Sequence, residues 1–174
     1  MKNIVLTGMS GVGKSKTGKL LADRINWKLI DIDDLIVKRE ELNIDEIFKL
    51  HGEKYFRDIE SLVIEKVSCF YNQIICTGGG AILRETNISK LKKNGYIFLL
   101  LGKIETIVEN LNKSATIRPL LSDKNKLYLD VEKLFNSRKH IYKSTADIII
   151  EVEGKSDSEI CEQILDEYYR LLRT

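Results

Sequence analysis

Residues Gly8–Ser15 read GMSGVGKS and satisfy the pattern GxxxxGK[ST]. The pattern carries meaning only in context, and the context is present. The apolar run Lys2–Thr7 (KNIVLT) precedes it as a strand, and Lys14–Ile25 follows with helical spacing. Glycines there let the backbone wrap tightly, so that successive N–H groups point at phosphate oxygens at a helix N-terminus. Lys14 would reach the β- and γ-phosphates, and the Ser15 hydroxyl would ligate Mg²⁺. A nucleoside triphosphate is therefore expected. ATP is favoured over GTP, because the chain has no N/TKxD-type guanine selector.

Outward from that loop, further apolar runs recur at Lys28–Asp31 (KLID), Gln73–Thr77 (QIICT), Tyr96–Leu101 (YIFLLL) and Asp147–Val152 (DIIIEV). Between them, Phe56, Ile59, Val63, Val67 and Phe70 are spaced by three or four, as are Ile160, Ile164, Tyr168 and Leu171. Strands that are apolar throughout, separated by helices, predict a parallel sheet covered on both faces. Such a sheet takes ligands in the loops after its C-terminal strand ends. Two segments lie outside the alternation. Residues 32–70 hold two or three helices with no strand between them, and residues 112–126 are polar and aperiodic, as a flap over a site would be.

The 174 residues fit one ordinary domain, with 43% hydrophobic and 31% charged residues. A net charge of +2, from 28 basic and 26 acidic residues interspersed along the chain, argues against a dedicated nucleic-acid binder. Three scattered cysteines, Cys69, Cys76 and Cys161, imply neither a disulfide framework nor a zinc site and suit a reducing compartment. The opening MKNIVLTG enters a strand at once, so no secretory signal is expected. No apolar run approaches the roughly 20 residues that span a bilayer.

The acceptor of the phosphoryl group must come from elsewhere in the chain. Asp31–Ile32–Asp33–Asp34 closes the second strand, and in extended geometry Asp31 and Asp33 point the same way. Either these two serve the metal shell and an attacking hydroxyl, or Asp33 or Asp34 caps the helix that follows. Gly78–Gly80 is a second glycine run after a strand, but Ala81 and Ile82 follow it in place of a lysine and a hydroxyl. It is either a turn requiring positive φ or a side-chain-free wall for a ligand. Taken alone, Arg57 reads as a surface arginine paired with Asp58 or Glu60, and Arg138 as an ordinary surface arginine, whereas Arg118 precedes Pro119 inside the flap. His51 and His140 have no metal-ligand spacing and receive no role.

Taken together, GMSGVGKSKTG, DIDD, FRDIE, GGGAI, RPLL and RKHIYKSTAD, in this order and spacing, closely resemble shikimate kinase over about residues 2–170. The resemblance implies a P-loop kinase of the nucleoside-monophosphate-kinase type. Its fold would be a three-layer α-β-α sandwich on a five-stranded parallel sheet of order 2-3-1-4-5, with a mobile lid. It further implies one domain over 1–174, with an acceptor-binding region at about 32–70 and the lid at about 112–126. The reaction implied is transfer from MgATP to the 3-hydroxyl of shikimate, in a cytoplasmic monomer with no nucleic-acid or membrane partner.

By the same resemblance, Gly11, Val12, Gly13, Lys14, Ser15, Lys16 and Arg118 would bind ATP. Asp33, Arg57, Gly79, Gly80 and Arg138 would bind shikimate, with Asp33 orienting or deprotonating its hydroxyl. Ser15 would hold Mg²⁺ directly and Asp31 through water, and Lys14, Asp33 and Arg118 would form the catalytic set. Three departures stand out. Lys16 replaces a second hydroxyl after Ser15, His140 replaces a proline, and an arginine before the lid is missing. Leu111 and Asn112 occupy that last neighbourhood, with Lys113 as the nearest substitute.

Overall fold

The computed structural model describes residues 1–113, 119–121 and 126–173. Among these residues lie five strands, β1 (Asn3–Thr7), β2 (Lys28–Asp31), β3 (Gln73–Cys76), β4 (Gly95–Leu101) and β5 (Ile148–Glu151). Seven helices accompany them: α1 (Lys14–Ile25), α2 (Ile32–Glu40), α3 (Ile44–Ser68), α4 (Glu85–Lys93), α5 (Ile104–Lys113), α6 (Leu127–Thr145) and α7 (Asp157–Leu171). The apolar runs locate each strand to within one residue at either end. All strand pairs are parallel, in the order β2-β3-β1-β4-β5, which is the P-loop kinase order expected.

Alternation along β1 explains the two outer layers. Ile4 and Leu6 belong to one apolar cluster with Leu21 of α1, Ile107 of α5, Val131 of α6 and Ile164 of α7. Val5 points the other way, into a cluster with Ile36 of α2, Ile59, Val63 and Val67 of α3, and Leu91 of α4. A central strand buried on both faces has no polar side, hence its unbroken apolar reading. Register is set on both sides of it, with Val5 opposite Ile75 of β3 and Ile97 of β4.

Local chemistry starts and stops the helices that carry site residues. α3 opens on a capping box, in which the Glu46 carboxylate accepts from the Asn43 N–H at 2.7 Å. It bends at Gly52, whose φ of 80° and ψ of 170° are not helical. α7 opens on the equivalent box of Ser156 and Glu159. One expectation fails here. Phe70 continues the spacing of the α3 stripe, but α3 ends at Ser68 and Phe70 is 57% exposed. The Asn94 side chain donates to the Ser68 carbonyl at 3.0 Å, and the chain reverses through left-handed Asn72, leaving Phe70 beyond the helix.

Leu6 is fully buried at the sheet centre. Leu6→Ala should cost about 2–5 kcal/mol, as large-to-small core changes do. Urea unfolding should show this as a lowered midpoint with an unchanged slope.

Candidate active site

The loop between β1 and α1 is shaped by backbone that only glycine adopts readily. Gly11 and Gly13 have φ of 87° and 105°, and Gly13 stands at the N-cap of α1. Gly11 is also crowded, since a Cβ there would sit 2.8 Å from Leu111 Cγ on α5. α5 is tied to the loop again by the Asn110 amide, which donates to the Gly11 carbonyl at 2.8 Å. Lys14 is largely buried, and its ammonium donates to the carbonyls of Gly8 and Met9 at 2.8 and 2.9 Å. A cation is thereby held over a ring of N–H groups at a helix N-terminus, the arrangement that receives polyphosphate.

A cleft of about 390 Å³ runs from this loop toward α5 and the start of α7. Its far end is lined by Thr106, Asn110, Leu111, Val152 and Lys155. Leu111 therefore stands in the cleft, whereas Asn112 and Lys113 are not among its lining residues. The Lys155 ammonium is held by the Glu151 carbonyl at 2.9 Å and Gln163 Oε1 at 2.7 Å, which leaves its hydrocarbon stem to the cleft wall. Lys16 pairs with Asp157 at the first residue of α7. Both of those side chains are well exposed, so the pair contributes little stability.

At the mouth of the loop, the Ser15 hydroxyl donates to Asp31 Oδ2 at 2.8 Å. The other Asp31 oxygen accepts from the Asp33 N–H at 3.1 Å and so caps α2. DIDD thus does cap α2, but through Asp31 and not through Asp33 or Asp34, because the helix starts one residue earlier, and the geometric pairing of Asp31 with Asp33 does not hold. α2 begins at Ile32, so Asp31 and Asp33 are not alternate residues of one strand. Asp33 reaches the cleft from the first helical turn. Among the described residues no cluster of three His, Cys, Asp or Glu exists to cage a metal. A serine hydroxyl beside one carboxylate still fits Mg²⁺, which keeps several waters and takes phosphate oxygens as ligands.

A second, smaller cavity of about 70 Å³ adjoins the first. Its floor is the Gly78–Gly80 run, and none of these three glycines has positive φ. The turn explanation therefore fails, and close approach replaces it. A Cβ on Gly78 would lie 2.8 Å from Asp33 Oδ1 and 2.9 Å from Glu60 Oε1. On Gly79 it would meet the Ser10 N–H at 3.2 Å, and on Gly80 the Arg57 guanidinium at 2.6 Å. Any side chain on this run would fill the space that the charged groups share.

Two arginines converge on this cavity. Arg57 Nη1 donates to Glu60 Oε2 at 2.9 Å, and its Nε and Nη2 donate to Glu53 Oε1 at 3.3 and 3.2 Å. Asp58, its sequence neighbour, binds Arg84 instead, at 2.7 Å. Glu60 is fully buried, and that burial pushes its carboxyl up from the ordinary value against the opposing pull of Arg57. Its Oε1 has no hydrogen-bond partner among the described residues. Arg138, also buried, donates to the Gly79 carbonyl at 3.2 Å, and the Tyr142 hydroxyl donates to the same oxygen. Burial raises the Tyr142 hydroxyl to about 12, so it stays a neutral donor.

The side walls of this cavity are apolar, formed by Ile44, Phe48, Phe56, Leu134 and the short 3₁₀ turn Pro119–Leu121. Of the residues singled out from sequence, Lys14, Ser15, Asp31, Asp33, Arg57, Gly79, Gly80 and Arg138 line one or both of the adjoining cavities. Arg118 lies outside the described residues. Of the two partners expected for Arg57, Glu60 is the one it meets, but the pair is withdrawn from the surface because α3 turns this face toward the glycine run. Ser10 and Tyr142 carry no signal in the sequence beyond their place in the motifs.

With this geometry in place, comparison with known proteins is direct. Residues 10–169 match the model of the shikimate kinase family. A shikimate kinase of Alkaliphilus oremlandii is 41% identical over 165 residues, covering 95% of this chain and 98% of the relative. The structure of shikimate kinase from Acinetobacter baumannii in complex with shikimate superposes with a TM-score of 0.92 at 27% identity, covering 98% of this chain and 94% of that one. A gluconokinase of Sinorhizobium meliloti shares the fold, with a TM-score of 0.58 at 16% identity and coverage of 98% and 93%. The chain belongs to the shikimate kinase family, whose members are ATP-dependent kinases.

Gly80→Ala tests the glycine floor. The new Cβ displaces the Arg57 guanidinium, so the KM for the acceptor should rise about tenfold, or ~1.4 kcal/mol. Nucleotide affinity, followed by titration with a fluorescent ATP analogue, should not change.

Proposed function

We propose that the chain transfers the γ-phosphoryl group of ATP, bound with Mg²⁺, to the 3-hydroxyl of shikimate, giving shikimate 3-phosphate and ADP. One observation carries this reading. Ser10, Asp33, Gly78 and Gly79 line both the phosphate-loop cleft and the two-arginine cavity, so donor and acceptor would meet across shared walls. A pocket lined by Arg57, Arg138 and Asp33 over a glycine floor suits a ring that carries a carboxylate and several hydroxyls. A nucleotide acceptor would need a base pocket and more cations.

Roles follow from position. Gly11, Val12 and Gly13 would offer N–H groups to the β-phosphate, and Lys14 would swing from the loop carbonyls to the β- and γ-phosphates. Lys16 and Arg118 would add charge on the ATP side, Arg118 from a lid spanning about residues 112–126. Arg57 and Arg138 would grip the shikimate carboxylate. Glu53 and Glu60 hold part of the Arg57 fork and leave its remaining N–H groups for substrate. Gly79 and Gly80 would let the ring lie against backbone. Asp33 would accept the hydroxyl proton as the oxygen attacks phosphorus and the bond to the β,γ-bridging oxygen breaks.

Mg²⁺, held by Ser15 and through water by Asp31, would neutralise charge on the phosphate oxygens. The chain would work as one domain, with residues 32–70 as the acceptor region, and as a monomer in the cytoplasm. Three free cysteines suit that reducing compartment. Among the described residues no helix is long and apolar enough to cross a membrane.

A coupled ADP-release assay decides the matter. Shikimate should stimulate turnover where gluconate and nucleoside monophosphates do not, and stimulation by gluconate alone would refute the assignment. Lys14→Ala should lower kcat by about a thousandfold, or ~4 kcal/mol, with an unchanged circular dichroism spectrum. Arg57→Ala should raise the shikimate KM about a hundredfold and leave the ATP KM within about twofold.

A further inference from the structure

Among the described residues, a further cavity, larger than the two of the candidate active site, lies apart from both. It is a groove of about 690 Å³ at the opposite end of the sheet, between α2, the C-terminal half of α3 and the edge strand β2. No residue that lines it lines the nucleotide cleft or the two-arginine cavity. It reaches Lys28 and Gln73, the first residues of β2 and β3, whereas the kinase cleft gathers Asp31 and Thr77 at the other ends of those strands.

Its floor is apolar, built from Ile30, Val63 and Val67, all nearly buried. Its walls are large hydrophobic side chains left open to solvent. Leu62, Phe70 and Tyr71 are 48%, 57% and 56% exposed. This is where the chain leaves α3 at Ser68 and turns back through Asn72, so the two aromatic rings stand at the groove rim without a helix to bury them. Exposed aromatic surface gathered in one concavity, in place of scattered single residues, marks a binding surface.

The charge around the groove has one sign. Lys28, Lys38, Arg39 and Lys66 line it, and no aspartate or glutamate does. Several other lysines of this helical layer are paired: Lys49 with Asp45, Lys54 with Asp58, and Lys90 with Glu65. Arg39 shares Glu40, which also accepts from the Tyr55 hydroxyl. Lys28, Lys38 and Lys66 make no ion pair among the described residues. Three unpaired lysines round an apolar floor repel one another until an anion joins them. The volume lies within the range of small-molecule sites, about 300–1,000 Å³.

We propose that this groove is a second ligand site, which takes a small amphipathic anion: a flat apolar body carrying a carboxylate, sulfonate or phosphate group. The body lies on Ile30, Val63 and Val67 between the Phe70 and Tyr71 rings, and the acidic group sits among Lys28, Lys38 and Lys66. This assignment is independent of the kinase reaction, because the two sites share no residue.

The probe is 8-anilinonaphthalene-1-sulfonate, titrated into the folded full-length protein with the kinase cleft saturated by MgADP. Fluorescence should rise saturably with a stoichiometry of one. The double variant Lys38→Glu/Lys66→Glu should weaken binding at least tenfold, and the milder Lys38→Gln/Lys66→Gln should move in the same direction. N-phenyl-1-naphthylamine, with the same rings and no sulfonate, should bind at least tenfold more weakly than the sulfonate. The proposal is overturned if the double variants bind the probe as tightly as the parent chain, if the uncharged amine binds equally well, or if no saturable binding occurs.

Discussion

Three strand ends lie in register, and the active site depends on that alignment. Leu6 of β1 stands opposite Cys76 of β3, which in turn stands opposite Asp31 of β2. Parallel pairing forces all three strands to end on the same edge of the sheet, so the loops that follow are neighbours in space although they are far apart in the chain. The loop after β1 carries Lys14 and Ser15, the residue closing β2 is Asp31, and the loop after β3 carries Gly78–Gly80. Slipping β3 by one residue would carry the glycine floor away from Ser10 and turn Ile75 out of its cluster. Core packing on both faces thus holds the register, and the register holds the site.

Within that frame the site is dominated by the cost of burying charge. Arg57, Arg138 and Glu60 are all withdrawn from solvent next to an apolar wall. Isolated, each would be expensive, and each is compensated in a different way. Arg57 and Glu60 neutralise one another, while Arg138 leans on the Gly79 carbonyl beside the Tyr142 hydroxyl. Glu60 remains only partly satisfied, since one oxygen lacks a partner among the described residues. A pocket of this kind keeps positive character at its centre while its periphery is fixed, and that pre-organisation favours an anionic ligand.

The two ends of the sheet contrast in how they treat cations. At the C-terminal strand ends, Lys14 and the arginines are buried and held by carbonyls or carboxylates. At the N-terminal ends of β2 and β3, the groove lysines stay on the surface round exposed aromatics. The first arrangement selects geometry, because each donor is aimed. The second selects only charge sign and an apolar body, because long lysine stems are free to follow the ligand.

What could be read in the sequence was local. GMSGVGKS between a strand and a helix pointed to the β1–α1 loop as the phosphate-binding end. Apolar runs located the strands, because a strand buried on both faces needs no polar alternation. The motif set placed Asp33, Arg57, Gly79, Gly80 and Arg138 among the candidates, and these line adjoining cavities. Four points needed the tertiary structure: the reason for three glycines without positive φ, the double use of Asp31, the choice of Glu60 over Asp58 as the partner of Arg57, and the unpaired lysines of the groove. Each depends on a distance between residues remote in the chain or on which neighbour a flexible side chain meets, and one-dimensional spacing encodes neither.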